Sequence, residues 1–397
     1  AHLVEPVADA VLAAVSPWDA PIVGSVPPAS QIAVPPSGPF RAPADGARSP
    51  RGARPESGPE VADDAKVRGS NSFAVGGART ADGRALLAND MHLRLGVPVI
   101  WYAARLVVDA GDPLDAVGVT LPGAPALIAG SNGSIAWGFT NSYGDWVDHV
   151  RLELDPDDED RYRTPDGWRR ITERTELVEI AGGGVDTMVV RDTIWGPRTA
   201  LVDSLPVATR WVAHDPEALD LRLLDLLEVD SLDAALDLAT TCGIPHQNFV
   251  VADADGRVGW TIIGRVPRRV GLDGREPRSW ADGTRGWSGW LGPEEVPRHV
   301  FGPDGRIWTA NGRVTTLANQ ARMGFGDFAL GARATVIRDT LLALDRVDEN
   351  ALLGVQLVTR SPLLQRWADR LRDVIAGSAD PSHRAAARWL DDWTGGA

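Results

Sequence analysis

The chain changes character at one point, and that point limits what it can fold into. From about Pro17 to Gly69 it is rich in Pro, Gly, Ser, Ala, Arg and Asp, with runs such as Val26-Pro27-Pro28, Val34-Pro35-Pro36 and Arg48-Ser49-Pro50-Arg51-Gly52. Such text carries too little apolar area to offset the entropy lost on ordering, so it predicts a flexible spacer over residues 17–69. Immediately afterwards the residues read as strand: Ser72-Phe73-Ala74-Val75, a turn at Ala81-Asp82-Gly83, then Ala85-Leu86-Leu87-Ala88. A spacer that runs straight into a buried hairpin leaves Ser70 at the junction.

Further short apolar runs at 101–108, 116–121, 126–129 and 135–140 are punctuated by Gly, Pro, Asn and Asp, which predicts strands rather than helices. A second group of strands is expected between about 147 and 212. Helical period appears over 219–227 and 231–241, the latter without a full capping box after Ser231. Residues 248–260 read as a hairpin around Asp253-Ala254-Asp255-Gly256, and 333–393 as mainly helical. Strands first and helices late predict an α+β fold rather than a regular βαβ alternation.

Several function classes drop out. A formal charge of -14 opposes a phosphate backbone, so nucleic acid is not an expected partner. No stretch approaches the roughly 20 apolar residues of a membrane helix, so no membrane partner is expected. The lone cysteine, Cys242, permits no internal disulfide and no multi-cysteine metal site. Lys66 is the single lysine and Val67 follows it, which removes both a Walker phosphate loop and a Ser-x-x-Lys hydrolase motif. A conventional Ser-His-Asp esterase is disfavoured because no Gly-x-Ser-x-Gly elbow can be written.

Four local texts carry chemistry. In Arg68-Gly69-Ser70-Asn71-Ser72, the serine would gain a built-in base if the Gly69–Ser70 bond broke, because the freed α-amine has a pKa of about 8; uncut, it is an ordinary Gly-Ser turn. In Asn89-Asp90-Met91-His92, the histidine follows Ser70 by 22 residues across the hairpin, a span that can return it to the serine's side; alone it reads as a structural histidine. The stretch from Trp137-Gly138 through Asn141 to Asp145-Trp146-Val147-Asp148 combines a glycine-rich strand with paired carboxylates suited to a hard cation or to a solvated turn. In Trp308-Thr309-Ala310-Asn311-Gly312 an apolar strand ends in an asparagine whose amide could donate to an oxyanion, although Asn-Gly is also a favoured hairpin turn.

Together these texts resemble the penicillin acylase family of N-terminal nucleophile hydrolases, over residues 69 to at least 342. The resemblance implies an αββα sandwich, a nucleophile at Ser70 and a neighbouring His92 of the kind found in the cephalosporin-acylase and acyl-homoserine-lactone-acylase branches. It further implies a backbone oxyanion donor at Asn141, an oxyanion-hole asparagine at Asn311 and an active-site arginine at Arg333, 22 residues later. Asp145, the Val147 carbonyl and Asp148 fall where the family holds a structural calcium. The position eleven residues after Asn311, where a further calcium acid is expected, is Arg322. No cofactor is expected for catalysis.

The same resemblance implies α and β chains cut from one precursor, with residues 1–16 ending an α-subunit-like piece, 17–69 the spacer and 70–397 the first part of a β-subunit-like catalytic domain. The expected substrate is a small N-acyl amide, with aliphatic acyl chains favoured by His92, and the expected setting is periplasmic or secreted. A non-catalytic homologue with an uncut spacer is the rival of another class.

Overall fold

The computed structural model describes residues 69–93, 96–109, 111, 113–200, 205–324, 326–378 and 380–395. The expected α-subunit-like end (1–16) and spacer (17–69) lie outside the described residues, apart from Gly69. In chain order the first strands are β1 (Gly69–Val75), β2 (Leu86–His92), β3 (Tyr102–Val108), β4 (Leu114–Thr120), β5 (Ala129–Ser131), β6 (Ile135–Asn141) and β7 (Val147–Arg151). They are followed by β8 (Leu154–Asp155), β9 (Asp158–Thr164), β10 (Gly167–Arg170), β11 (Thr172–Glu179), β12 (Val185–Thr193), β13 (Gly196–Ala200) and β14 (Pro206–Trp211). Helix α1 (Leu232–Ala239) precedes β15 (Gln247–Asp253), β16 (Val258–Ile263), β17 (Pro267–Val270), β18 (Gly286–Trp290), β19 (Arg298–Phe301) and β20 (Arg306–Thr309). The remaining helices are α2 (Leu317–Met323), α3 (Ala332–Ala343), α4 (Glu349–Gln356), α5 (Pro362–Ile375) and α6 (Pro381–Asp392).

Two sheets form the centre. One runs β2-β1-β20 and the other β19-β16-β15-β6-β5-β4-β3. Because side chains alternate along a strand, β1 faces two layers at once. Ala74 packs between the sheets with Val250, Trp260, Ile262 and Ile307, whereas Phe73 and Val75 point away, against Ala334, Ile337 and Leu341 of α3 and Leu352 and Val355 of α4. On the far side, Ile135, Trp137 and Phe139 of β6 and Phe249 and Val251 of β15 meet Leu232, Ala235, Leu236 and Ala239 of α1. The layer order is therefore α1, large sheet, small sheet, then α3 and α4, which is the αββα sandwich that the resemblance implies. Phe73 and Phe249 are fully buried, and truncating a core phenylalanine to alanine costs about 3–5 kcal/mol.

Strands β11-β12-β13-β14-β7 form a separate sheet, with β10-β9-β8 beside it; they close over Val150, Leu152, Tyr162, Trp195, Ala208 and Trp280. The apolar run at 126–129 lies mostly before its strand, β5, and two further expectations differ from the structure. The helical period of 219–227 appears as a 3-10 helix, Arg222–Leu227, in which the buried Leu223 and Leu226 are three apart and so suit the tighter turn. The Asn311-Gly312 pair forms no hairpin: β20 ends at Thr309 and the chain runs on to α2. The hairpin of 248–260 is β15–β16, as expected.

Candidate active site

The register of β1 brings the site together. Against β2, Gly69 lies opposite His92, Ser70 opposite Met91 and Asn71 opposite Asp90, so the hairpin returns His92 to the head of β1. Against β20, Ser72 lies opposite Thr309, and continuing that register places Asn311 beside Ser70. The Ser70 N–H donates to Asn311 Oδ1 at 2.7 Å.

Asn311 is 1% exposed and has φ 64°, in the left-handed region that asparagine tolerates better than most residues. Its Nδ2 donates to the Asn141 carbonyl at 2.9 Å, so the end of β6 touches the site through a carbonyl. Arg333, in the first turn of α3, spans three partners. Nη1 donates to the Ser70 carbonyl at 2.9 Å and to Asn71 Oδ1 at 2.7 Å, and Nη2 donates to Asn311 Oδ1 at 2.8 Å. Burial pushes the Arg333 guanidinium below its ordinary value, while Tyr143 and Asp90 act in the other direction. Thus Ser70, Asn141, Asn311 and Arg333 share one hydrogen-bonded cluster.

His92 belongs to an adjoining cluster. Its Nε2 lies 3.0 Å from Asp90 Oδ2 and 3.2 Å from Asn71 Nδ2. An ionised carboxylate only accepts, so the contact with Asp90 requires a proton on Nε2. Asn71 Nδ2 also donates to Asp90 Oδ2 at 3.0 Å. The His92 hydrogen bond holds Asp90 below the usual carboxylate range against the opposing effect of burial, with further help from Asn71 and the Arg333 charge. Asn71 thereby links the histidine cluster to Arg333.

Sequence reasoning passed over Asn71, Asn89 and Asp90 as functional positions. Asn89 ties the sheets together, its Nδ2 donating to the Asn71 and Phe139 carbonyls and its Oδ1 accepting the Phe139 N–H. The available signal was strand alternation, which puts Asp90 and His92 on one face. Beneath them a buried polar chain crosses the sandwich: Trp260 Nε1 donates to Asn248, Asn248 to Thr140, Thr140 to Thr309 and Thr309 to the Ser72 carbonyl.

Gly69, the residue before the serine, sits under two of these side chains. A Cβ there would stand 2.8 Å from Arg333 Nη2 and 3.2 Å from Asn311 Oδ1, closer than unstrained packing allows.

Two of the three expected calcium ligands face an arginine. Asp145 and Asp148 hold the guanidinium of Arg269, and the Val147 N–H points back at Asp145 Oδ1, 3.4 Å away. Arg322, at the position of the further acid, donates to the Glu295 carbonyl. Among the described residues no group of three or more His, Cys, Asp or Glu side chains is placed to hold a metal ion. No helix of the described residues is long and apolar enough to cross a membrane.

Comparison with known proteins agrees with this architecture. The family model for penicillin amidase matches residues 7–397. An acyl-homoserine lactone acylase QuiP from Pseudomonas aeruginosa is 29% identical over 262 residues, covering 62% of this chain and 30% of that protein. A penicillin acylase 2 proenzyme from Pseudomonas sp. strain SE83 is 30% identical over 257 residues, covering 64% of this chain and 33% of that protein. The chain thus spans about a third of the length of these relatives. The thermostable penicillin G acylase from Alcaligenes faecalis superposes with a TM-score of 0.67 at 22% identity, over 82% of this chain and 59% of that one, so the two share a fold. With the family model matched along nearly its whole length, the chain belongs to the penicillin amidase family.

Proposed function

We propose that the chain carries the nucleophilic half of an amidohydrolase that cleaves small N-acyl amides through Ser70, once the Gly69–Ser70 bond has been broken by the protein itself. The observation that carries this reading is the convergence on Ser70 of Asn311 and Arg333, with His92 opposite Gly69. In the cut chain the Ser70 amine, through a water, takes the hydroxyl proton, and the hydroxyl attacks the amide carbonyl. The oxyanion is held by the Asn311 amide, which turns from the Asn141 carbonyl, and by the Asn141 backbone N–H. The amine product leaves with the proton, and water then hydrolyses the acyl ester. Arg333 fixes the Ser70 carbonyl and the Asn311 side chain, while His92, oriented by Asp90, positions the head of β1.

Processing into α and β chains is part of the same reading, and a relative named as a proenzyme supports it. A periplasmic or secreted setting accompanies it. The test is intact mass and N-terminal sequencing of the full-length protein beside its Ser70→Ala variant. A mature chain beginning at Ser70, with the variant uncut, is the expected result; a variant cut at the same bond assigns processing to another protease.

A narrower reading, hydrolysis of acyl-homoserine lactones, is favoured by His92 and by the relative named for that activity.

A further inference from the structure

Arg269 is 6% exposed in its side chain and lies between two carboxylates that are also withdrawn from water, Asp145 at 13% and Asp148 at 3%. Its Nε donates to Asp148 Oδ2 at 2.8 Å, and its Nη2 donates to the Asp145 backbone carbonyl at 2.9 Å and lies 3.3 Å from Asp145 Oδ2. Trp287 Nε1 supplies a second donor to Asp148 Oδ2, at 2.5 Å. The surrounding backbone closes on this group. A Cβ on Gly274 would meet Asp145 Oδ2 at 2.4 Å and Asp148 Oδ1 at 3.0 Å, and one on Gly324 would meet Arg269 Nη1 at 2.6 Å.

We propose that Arg269 is a built-in cation that stands where a divalent metal would otherwise bridge Asp145 and Asp148, and that it braces the segment between Asn141 and β7 without calcium. Three features support this. A carboxylate pair buried this deeply requires compensating positive charge, and the guanidinium already supplies it. Of the carboxylate oxygens that a hard cation would use, Asp148 Oδ2 accepts from both Arg269 and Trp287, and Asp145 Oδ2 lies 3.3 Å from Arg269 Nη2. The brace also joins separate elements, β17 through Arg269, β18 through Trp287 and β7 through Asp148, around a segment that begins at the Asn141 carbonyl bonded by Asn311. Arg269 is here a positioning residue with no contact to the reacting atoms.

The test uses the full chain and no activity measurement. Thermal unfolding is followed in chelator and in millimolar calcium, and terbium is titrated with Trp287 and Trp146 as luminescence sensitisers. The wild-type Tm is expected to be the same in chelator and in calcium, with no saturable terbium luminescence. Arg269→Ala, which removes the guanidinium between the two acids, is expected to lower the Tm, and calcium to raise it again. The proposal is overturned by a wild-type calcium-dependent rise in Tm that Asp148→Asn abolishes, or by an Arg269→Ala protein as stable as wild type in chelator. If Arg269→Ala does not fold, the wild-type titrations decide the question alone.

Discussion

Asn311 and Ser70, 241 residues apart in sequence, are joined by a 2.7 Å hydrogen bond from the Ser70 backbone N–H to the Asn311 side chain. The bond follows from β1 pairing with β20 and from the left-handed backbone at Asn311, which turns its side chain back toward the head of β1. The amide therefore has one atom committed to the Ser70 nitrogen and to Arg333 and the other to the Asn141 carbonyl.

That arrangement separates two roles by substitution. Asn311→Gly keeps the φ of 64° without penalty, whereas Asn311→Ala adds backbone strain of about 1–2 kcal/mol. Both remove the amide. If the amide holds the oxyanion, both variants, once correctly cut, lose about a hundredfold or more in kcat, and the glycine variant has the higher Tm. Near-normal turnover in either one would move the oxyanion role to another group.

Gly69 offers a test of processing that leaves the nucleophile intact. A methyl group at this position meets Arg333 Nη2 and Asn311 Oδ1, so Gly69→Ala must displace the side chains that hold Ser70. The expected outcome is slower appearance of the cut chain in a time course followed by gel and mass spectrometry. Gly69→Ala processed at the wild-type rate would show that the Arg333–Asn311 contact does not govern the step.

Much of the candidate site is legible in the sequence. The short apolar runs at 72–75 and 85–88 sufficed to place a hairpin, and a hairpin of that length can return His92 to the head of β1, where the structure pairs it with Gly69. The layer order came from the family resemblance, and the structure shows each face of β1 with its own apolar partners. What was not legible is partner choice over long sequence distance. Nothing local in Val266-Pro267-Arg268-Arg269 says that its last residue lies between Asp145 and Asp148, and the spacing of those acids suits a metal or a guanidinium equally. Likewise the run 219–227 satisfies a helical period and a three-residue period alike, and the local packing selected the latter.

His246 gives the fold a defined pH response. It is buried, stacked on Trp146 at 3.8 Å, and its Nε2–H donates to the Arg265 carbonyl at 2.7 Å. Burial pushes the imidazole down to about 4 from its ordinary 6.5, despite that hydrogen bond. The unfolded chain therefore binds a proton below pH 6.5 while the folded chain does not until about pH 4. Its contribution, on the order of 3 kcal/mol, is complete above pH 6.5, is lost as the pH falls toward 4, and changes no further below that. Urea unfolding of wild type and His246→Gln over this range is expected to show a steeper loss in wild type. Parallel curves would remove His246 as the source.

Acyl preference is the finest point that the proposed function reaches. His92, 22 residues after Ser70, aligns this chain with the cephalosporin-acylase and acyl-homoserine-lactone-acylase branches, and a relative named for the latter activity is 29% identical over 262 residues. We therefore expect aliphatic N-acyl amides to be hydrolysed in preference to the phenylacetyl amide of penicillin G. One methylene more or less shifts selectivity by only about 1–3 kcal/mol, so a series of close homologues would discriminate poorly. An aliphatic chain and a phenylacetyl group differ by a whole aromatic ring, and a matched pair of amides with a common amine should give a large ratio of kcat/KM. A ratio favouring the phenylacetyl amide would sink the branch assignment alone, because in the proposed mechanism Ser70 and Asn311 act on the amide group that both substrates share.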